Sequence, residues 1–171
     1  QELFPMDEWK LCVRDTFNES NEKTGVSLYI HLPFCESLCT YCGCNTRITV
    51  NHAVERPYLE SLLKEWQLYL GLFPAQPRIA EIHLGGGTPT FFSSDNLKYL
   101  MDTISKSSII LPDCELGFEA HPNSTSSGHL QTLYSLGFRR LSLGIQDFDP
   151  DVQKIVNRIQ SFELVEEVVK K

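Results

Sequence analysis

The sequence has no run of about 18 consecutive apolar residues, so no segment is suited to span a bilayer as a helix. It has no basic-then-apolar leader, which leaves secretion unsupported and points to the cytoplasm. It also lacks a surplus of basic charge. Fifteen Lys and Arg stand against 22 Asp and Glu, a net −7 at pH 7. A chain this acidic has few cations with which to displace counterions, so neither nucleic acid nor membrane is expected as a partner. No internal repeat and no low-complexity tract breaks it up. The first residue is Gln1 rather than Met, which fits a piece of a longer chain. What is present suffices for one domain. Of 171 residues, 42% are hydrophobic and 22% charged, proportions that build a packed core and exclude wholesale disorder.

There are six cysteines, and four of them fall between Cys35 and Cys44. Without a secretion signal, such crowding indicates ligation of a metal or cofactor rather than a disulfide framework. Cys12 and Cys114 stand alone and read as ordinary half-buried thiols. The segment Cys35-Glu36-Ser37-Leu38-Cys39-Thr40-Tyr41-Cys42 has C-x3-C-x2-C spacing. Three thiolates on one short loop can hold three irons of a [4Fe–4S] cluster and leave the fourth open to substrate or cofactor. The spacing alone also admits tetrahedral zinc, with Cys44 or a histidine as fourth ligand.

Around this loop the hydrophobic pattern alternates between periods. Residues 1–26 are polar and weakly periodic, an N-terminal extension with a helix over 7–17. Strands are expected at 27–32, 79–84, 115–121 and 141–146. Helices are expected at 57–70, at 95–105 with Ser93 or Ser94 as N-cap, at 126–136 ending before Gly137, and at 164–171. Strand–helix alternation predicts an α/β fold with a parallel sheet. Strands of such sheets are usually apolar on both faces, yet all four here alternate. Leu28, Ile30 and Leu32 oppose Tyr29 and His31. Ile82 and Leu84 oppose Glu81, His83 and Gly85. Leu116, Phe118 and Ala120 oppose Gly117, Glu119 and His121. Leu141, Leu143 and Ile145 oppose Ser142, Gly144 and Gln146. A period of two assigns these faces, so one face meets the helices and the other lines a cavity for something polar. Glu119 and Gln146 lie on that polar face, where a carboxylate and an amide can bond ligand hydroxyls. Gly85-Gly86-Gly87-Thr88-Pro89 lets backbone approach a ligand closely. A guanidinium at Arg158 could clamp a carboxylate. The inward histidines His31, His83 and His121 also admit a metal-dependent hydrolase, a reading that leaves the cysteine loop unexplained.

The cysteine loop with Tyr41 before its last cysteine resembles the radical S-adenosylmethionine signature. Further segments are similar to the oxygen-independent coproporphyrinogen III oxidase family: Tyr29-Ile30-His31-Leu32-Pro33-Phe34, Cys42-Gly43-Cys44-Asn45, the Gly85–Thr90 turn, Gly144-Ile145-Gln146-Asp147-Phe148 and Val156-Asn157-Arg158. The resemblance implies a partial (β/α)6 barrel of the TIM-like radical S-adenosylmethionine type over 27–171, cut to about four βα units and incomplete at its C-terminal end. It implies a [4Fe–4S] cluster on Cys35, Cys39 and Cys42. It places S-adenosyl-L-methionine against Tyr29, Tyr41, Gly86, Gly87, Thr88, Glu119, Gln146 and Arg158, and Cys44 in the site outside the cluster. The implied reaction is the anaerobic oxidative decarboxylation of coproporphyrinogen III propionates to vinyl groups, giving protoporphyrinogen IX in haem biosynthesis. A deoxyadenosyl radical initiates it, and a low-potential donor such as a flavodoxin or ferredoxin supplies the electron. Residues 1–171 alone are expected to be inactive. The alternative is a haem chaperone of the same fold, a branch that usually lacks the cysteine matching Cys44. His121 departs from the Asp or Asn more usual in the family.

Overall fold

A computed structural model describes residues 5–171. The first four residues of the expected N-terminal extension lie outside the described part. Helix α1, Met6–Ser20, comes first. Strand β1, Val26–Leu32, then leads into a two-residue strand β2, Phe34–Cys35, and the cysteine loop. A second short strand β3, Arg47–Ile48, pairs with β2 in parallel and closes the base of that loop. Helix α2, Glu55–Leu72, strand β4, Arg78–Gly86, and helix α3, Ser94–Lys106, form the next unit. Strand β5, Ile109–Ala120, helix α4, Ser127–Ser135, and strand β6, Arg140–Leu143, follow. Helices α5, Pro150–Ile155, and α6, Phe162–Lys170, end the chain.

The main sheet has the order β1-β4-β5-β6, with every pair parallel, so strands lie side by side in chain order as a series of βα units requires. The alternation assigns the faces of the first three strands as expected. Ile30, Leu32, Ile82, Leu84, Leu116, Phe118 and Ala120 are buried. They pack with Leu59, Leu63 and Trp66 of α2, Leu97, Leu100, Met101 and Ile104 of α3, and Leu133 of α4. Each wholly buried leucine or isoleucine contributes about 2 kcal/mol through the area it removes from water. On the fourth strand the pattern is only half realised, because Leu141 stays 39% exposed at the sheet edge. Helix α1 lies against α2, with Phe17 stacked on Phe73 at 4.2 Å and Trp9 edge-on to Tyr69 at 5.6 Å. Among the described residues no helix is long and apolar enough to cross a membrane.

Local signals place the helix ends. The Ser93 hydroxyl accepts from the Asn96 amide and caps α3. Ser126 and His129 form a reciprocal cap on α4, and Gly137 follows that helix at φ +99°. Strand β5 begins six residues before its expected start, and the short strands β2 and β3 were not expected. Helix α5 was not anticipated, although Asp149 caps it through the amides of Asp151 and Val152 and Pro150 opens it. Strand β6 stops at Leu143, so Gln146 is not on a strand. It stands at φ +72°, beyond a turn in which the Gly144 amide still donates to Ala120 O at 3.0 Å.

Candidate functional site

At the C-terminal ends of the strands lies a cavity of about 350 Å³. This is the end of a parallel sheet at which ligands are bound. Its walls include Cys35, Cys39, Cys42, Cys44 and Tyr41 from the cysteine loop, Gly86, Gly87 and Thr88 after β4, Glu119 and His121 from the end of β5, and Gln146 and Arg158 beyond β6. Nearly all the residues singled out in the sequence thus meet around one space. Tyr29, His31 and His83 do not line this cavity wall. Tyr29 stands beside it, near enough that Glu119 and Cys44 act on its hydroxyl. It is 60% exposed on the intended face of β1, in a groove beside α1. Its hydroxyl is 3.2 Å from His31 Nδ1 and its ring stacks on His83 at 6.0 Å. Burial raises its pKa, reinforced by Glu119 and Cys44.

The glycine turn has a structural duty of its own. The Gly87 amide donates to Leu32 O and the Thr88 amide to Phe34 O, both at 2.9 Å. A Cβ on Gly87 would fall 2.5 Å from Pro33 O, and one on Gly86, at φ +118°, would strike the His31 ring at 2.8 Å. The glycines therefore let the chain around β2 lie directly on the end of β4, which brings Thr88 Oγ1 to 3.2 Å from the Cys35 thiol. Burial raises the Cys35 pKa, and the Thr88 bond opposes that rise. Cys44 lies close to Cys42; burial raises its pKa first and Cys42 next.

The polar face is pre-bonded. Glu119 Oε2 accepts from the Gly86 amide at 3.3 Å, and Oε1 lies 3.3 Å from His83 Nε2. Arg158 sends Nε and Nη2 to Gly144 O at 3.2 and 2.7 Å, and Nη1 to the Cys39 sulfur at 3.6 Å. One N–H on each terminal nitrogen remains for a ligand. The histidine-metal reading does not survive this geometry. His31 Nε2 is 2.7 Å from Asn45 O, His83 faces Glu119, and His121 Nδ1 accepts from the Asn123 amide. Among the described residues no three His, Cys, Asp or Glu side chains converge tightly enough to hold a single ion. Cys35, Cys39 and Cys42 share one cavity wall, which suits a cluster in which each sulfur would meet a different iron.

The family model described as the Radical SAM superfamily matches residues 29–171. The chain belongs to that superfamily. This radical SAM chain is 39% identical to the oxygen-independent coproporphyrinogen III oxidase of Helicobacter pylori strain J99, over 92% of its own length and 37% of the relative's. It is 39% identical to the protein of that name from Synechocystis, over 81% of its length and 30% of the relative's. Among solved structures it is similar to the coproporphyrinogen III oxidase of Escherichia coli, described as a radical SAM enzyme. That likeness has a TM-score of 0.87 and 32% identity, and covers 98% of this chain and 37% of the other. The radical SAM chain therefore spans 30 to 37% of these relatives.

Sequence reasoning missed one set of residues near the site. Glu55, with its side chain 3% exposed, accepts from the Ser93 amide at 2.8 Å and Asn96 Nδ2 at 2.7 Å, and lies 2.7 Å from His52 Nδ1. His52 stacks on Phe91 at 4.4 Å and reaches toward Glu36 of the cysteine loop at 3.9 Å. Glutamate in a first helical turn is too ordinary to single out, so the sequence carried no signal for it.

Proposed function

We propose that this chain provides the cofactor-binding part of an oxygen-independent coproporphyrinogen III oxidase, which converts propionate side chains of coproporphyrinogen III to vinyl groups and yields protoporphyrinogen IX. The observation that carries the proposal is the single cavity onto which the three thiols of the C-x3-C-x2-C loop open opposite Gly86–Thr88, Glu119 and Arg158. Cys35, Cys39 and Cys42 would hold the [4Fe–4S] cluster, and the cavity is of a size that takes a small molecule such as S-adenosyl-L-methionine. When bound, the two groups would supply one-electron reduction and radical chemistry at the propionate.

The chain's own residues bind and orient. Glu119 presents a carboxylate already fixed by the Gly86 amide, suited to accept from ribose hydroxyls. Arg158 lines the cavity, and its guanidinium would meet a ligand carboxylate there. Tyr41 and Gln146 line the wall as packing surface and amide partner. Tyr29, on β1 and under the influence of Glu119 and Cys44, would contact S-adenosyl-L-methionine from the side of the cavity. Coproporphyrinogen III and a low-potential flavodoxin or ferredoxin are the proposed partners, and the cytoplasm the proposed compartment.

The test is anaerobic reconstitution of the full-length protein with iron and sulfide. The expected result is an oxygen-sensitive cluster chromophore that is lost in Cys35→Ala, Cys39→Ala and Cys42→Ala. With reductant and S-adenosylmethionine, substrate mass should fall as carbon dioxide leaves. Stable zinc in protein purified without oxygen would overturn the cluster. Tight haem binding with an intact cluster and no turnover would favour the haem chaperone instead.

A further inference from the structure

We infer that Asn157 is a positioning residue that holds the cysteine loop in the shape its three thiols require. The argument starts from how helix α5 ends. The Arg158 amide donates to Gln153 O at 2.9 Å and the Asn157 amide to Lys154 O at 3.2 Å. This double closure is the Schellman stop, in which the residue after the C-cap adopts a left-handed conformation and is usually glycine. Helix α4 ends that way, with Gly137 at φ +99°. Helix α5 uses Asn157 instead, at φ +52°. Asparagine tolerates that region better than most residues but not as well as glycine, so its side chain needs a reason to be there.

The reason lies 119 residues away in the chain. Asn157 Nδ2 donates to Leu38 O at 2.7 Å. Its neighbours serve the same loop. The Thr40 amide donates to Val156 O at 3.2 Å, the Thr40 hydroxyl to Ile155 O at 2.9 Å, and Arg158 Nη1 to the Cys39 sulfur at 3.6 Å. Between Cys35 and Cys42 the loop's own backbone supplies the Cys42 amide bond to Cys39 O at 3.1 Å. The loop is thus held largely from outside, by the end of α5. That end is firmly based, because buried Gln153 donates to both Asp147 O and Gln160 O at 2.9 Å. The left-handed turn at Asn157 is what lets α5 present two carbonyls, an amide and a guanidinium to residues 38–40 together.

Asn157→Gly separates the two duties, since glycine keeps the helix stop and removes the clamp. In full-length protein without a cluster, amide hydrogen exchange at residues 36–42 should quicken roughly fivefold, the equivalent of one lost neutral hydrogen bond. Exchange within α5 should not change. Asn157→Asp keeps the tolerance for φ but turns an anion toward Leu38 O, and should loosen the loop further. In reconstituted protein, both variants should lose iron to a chelator faster than wild type. The iron measurement rests on the cluster reading, whereas exchange in cluster-free protein does not, so a failure of either is separately visible. Unchanged exchange at 36–42 in Asn157→Gly would overturn the inference. Equal loosening of α5 and the loop would also overturn it, by reducing Asn157 to a helix stop.

Discussion

Cys44 and Cys42 lie together at the cavity wall, yet only Cys42 falls within the three-cysteine spacing. Replacing Cys44 with serine in the full-length protein should leave iron content intact and abolish porphyrinogen turnover. Iron falling in step with activity would make Cys44 a ligand. His121 offers a second test. Burial, with Arg158 adding to it, lowers its pKa from 6.5 to about 4. The folded protein therefore prefers the neutral ring while the unfolded chain takes up a proton near pH 6.5. The contribution to stability is fully present above pH 6.5 and is lost as the pH falls toward 4. Denaturation midpoints of cluster-free protein should drop over that interval, and drop less in His121→Asn, whose side chain does not titrate.

At the level of elements, Glu55 ties the start of α2 to the capped start of α3 through the Ser93 amide and Asn96. A carboxylate buried among donors keeps a lowered pKa despite its desolvation. Glu55→Ala should cost about 3 kcal/mol by denaturant titration, since it strands those donors and empties the space between the helices. Its cluster loading should suffer less than its stability, because His52 meets Glu36 only at 3.9 Å. How much of the elements the sequence disclosed follows from where their signals lie. Ser93, Ser126 and Gly137 are local punctuation and placed their helices to within a residue or two. Helix α5 carried the same kind of punctuation in Asp149-Pro150, but six residues are too few for a hydrophobic stripe to mark it.

For the whole molecule, the sheet has two edges, and β6 is the barer one. It pairs only with β5, and Leu141 beside it is 39% exposed. An unpaired strand with an apolar flank is a template for association. Residues 1–171 alone should therefore self-associate in sedimentation, and Leu141→Lys should reduce it. They should also give no vinyl product with cluster, reductant, S-adenosylmethionine and substrate supplied, because they match only 37% of the Escherichia coli enzyme's chain, and radical chemistry needs a site shielded from water. Turnover by these residues alone would mean the site is complete within them.

By itself, the sequence determined the cysteine loop and the two faces of the first three strands. Ligand spacing and a period of two are local properties, expressed wherever the chain is folded at all. The resemblance carried by the cysteine loop, the glycine turn and the segment ending at Arg158 extended that to a family. Only the tertiary structure decided that Tyr29 stacks on His83, that Gln146 lies past the end of its strand, and that Arg158 bonds Gly144 O and Cys39. It alone joined Glu55 to Ser93 across 38 residues and Asn157 to Leu38 across 119. Such bonds depend on where separate chain ends come to rest after the core has packed, and no local pattern of residues encodes that meeting.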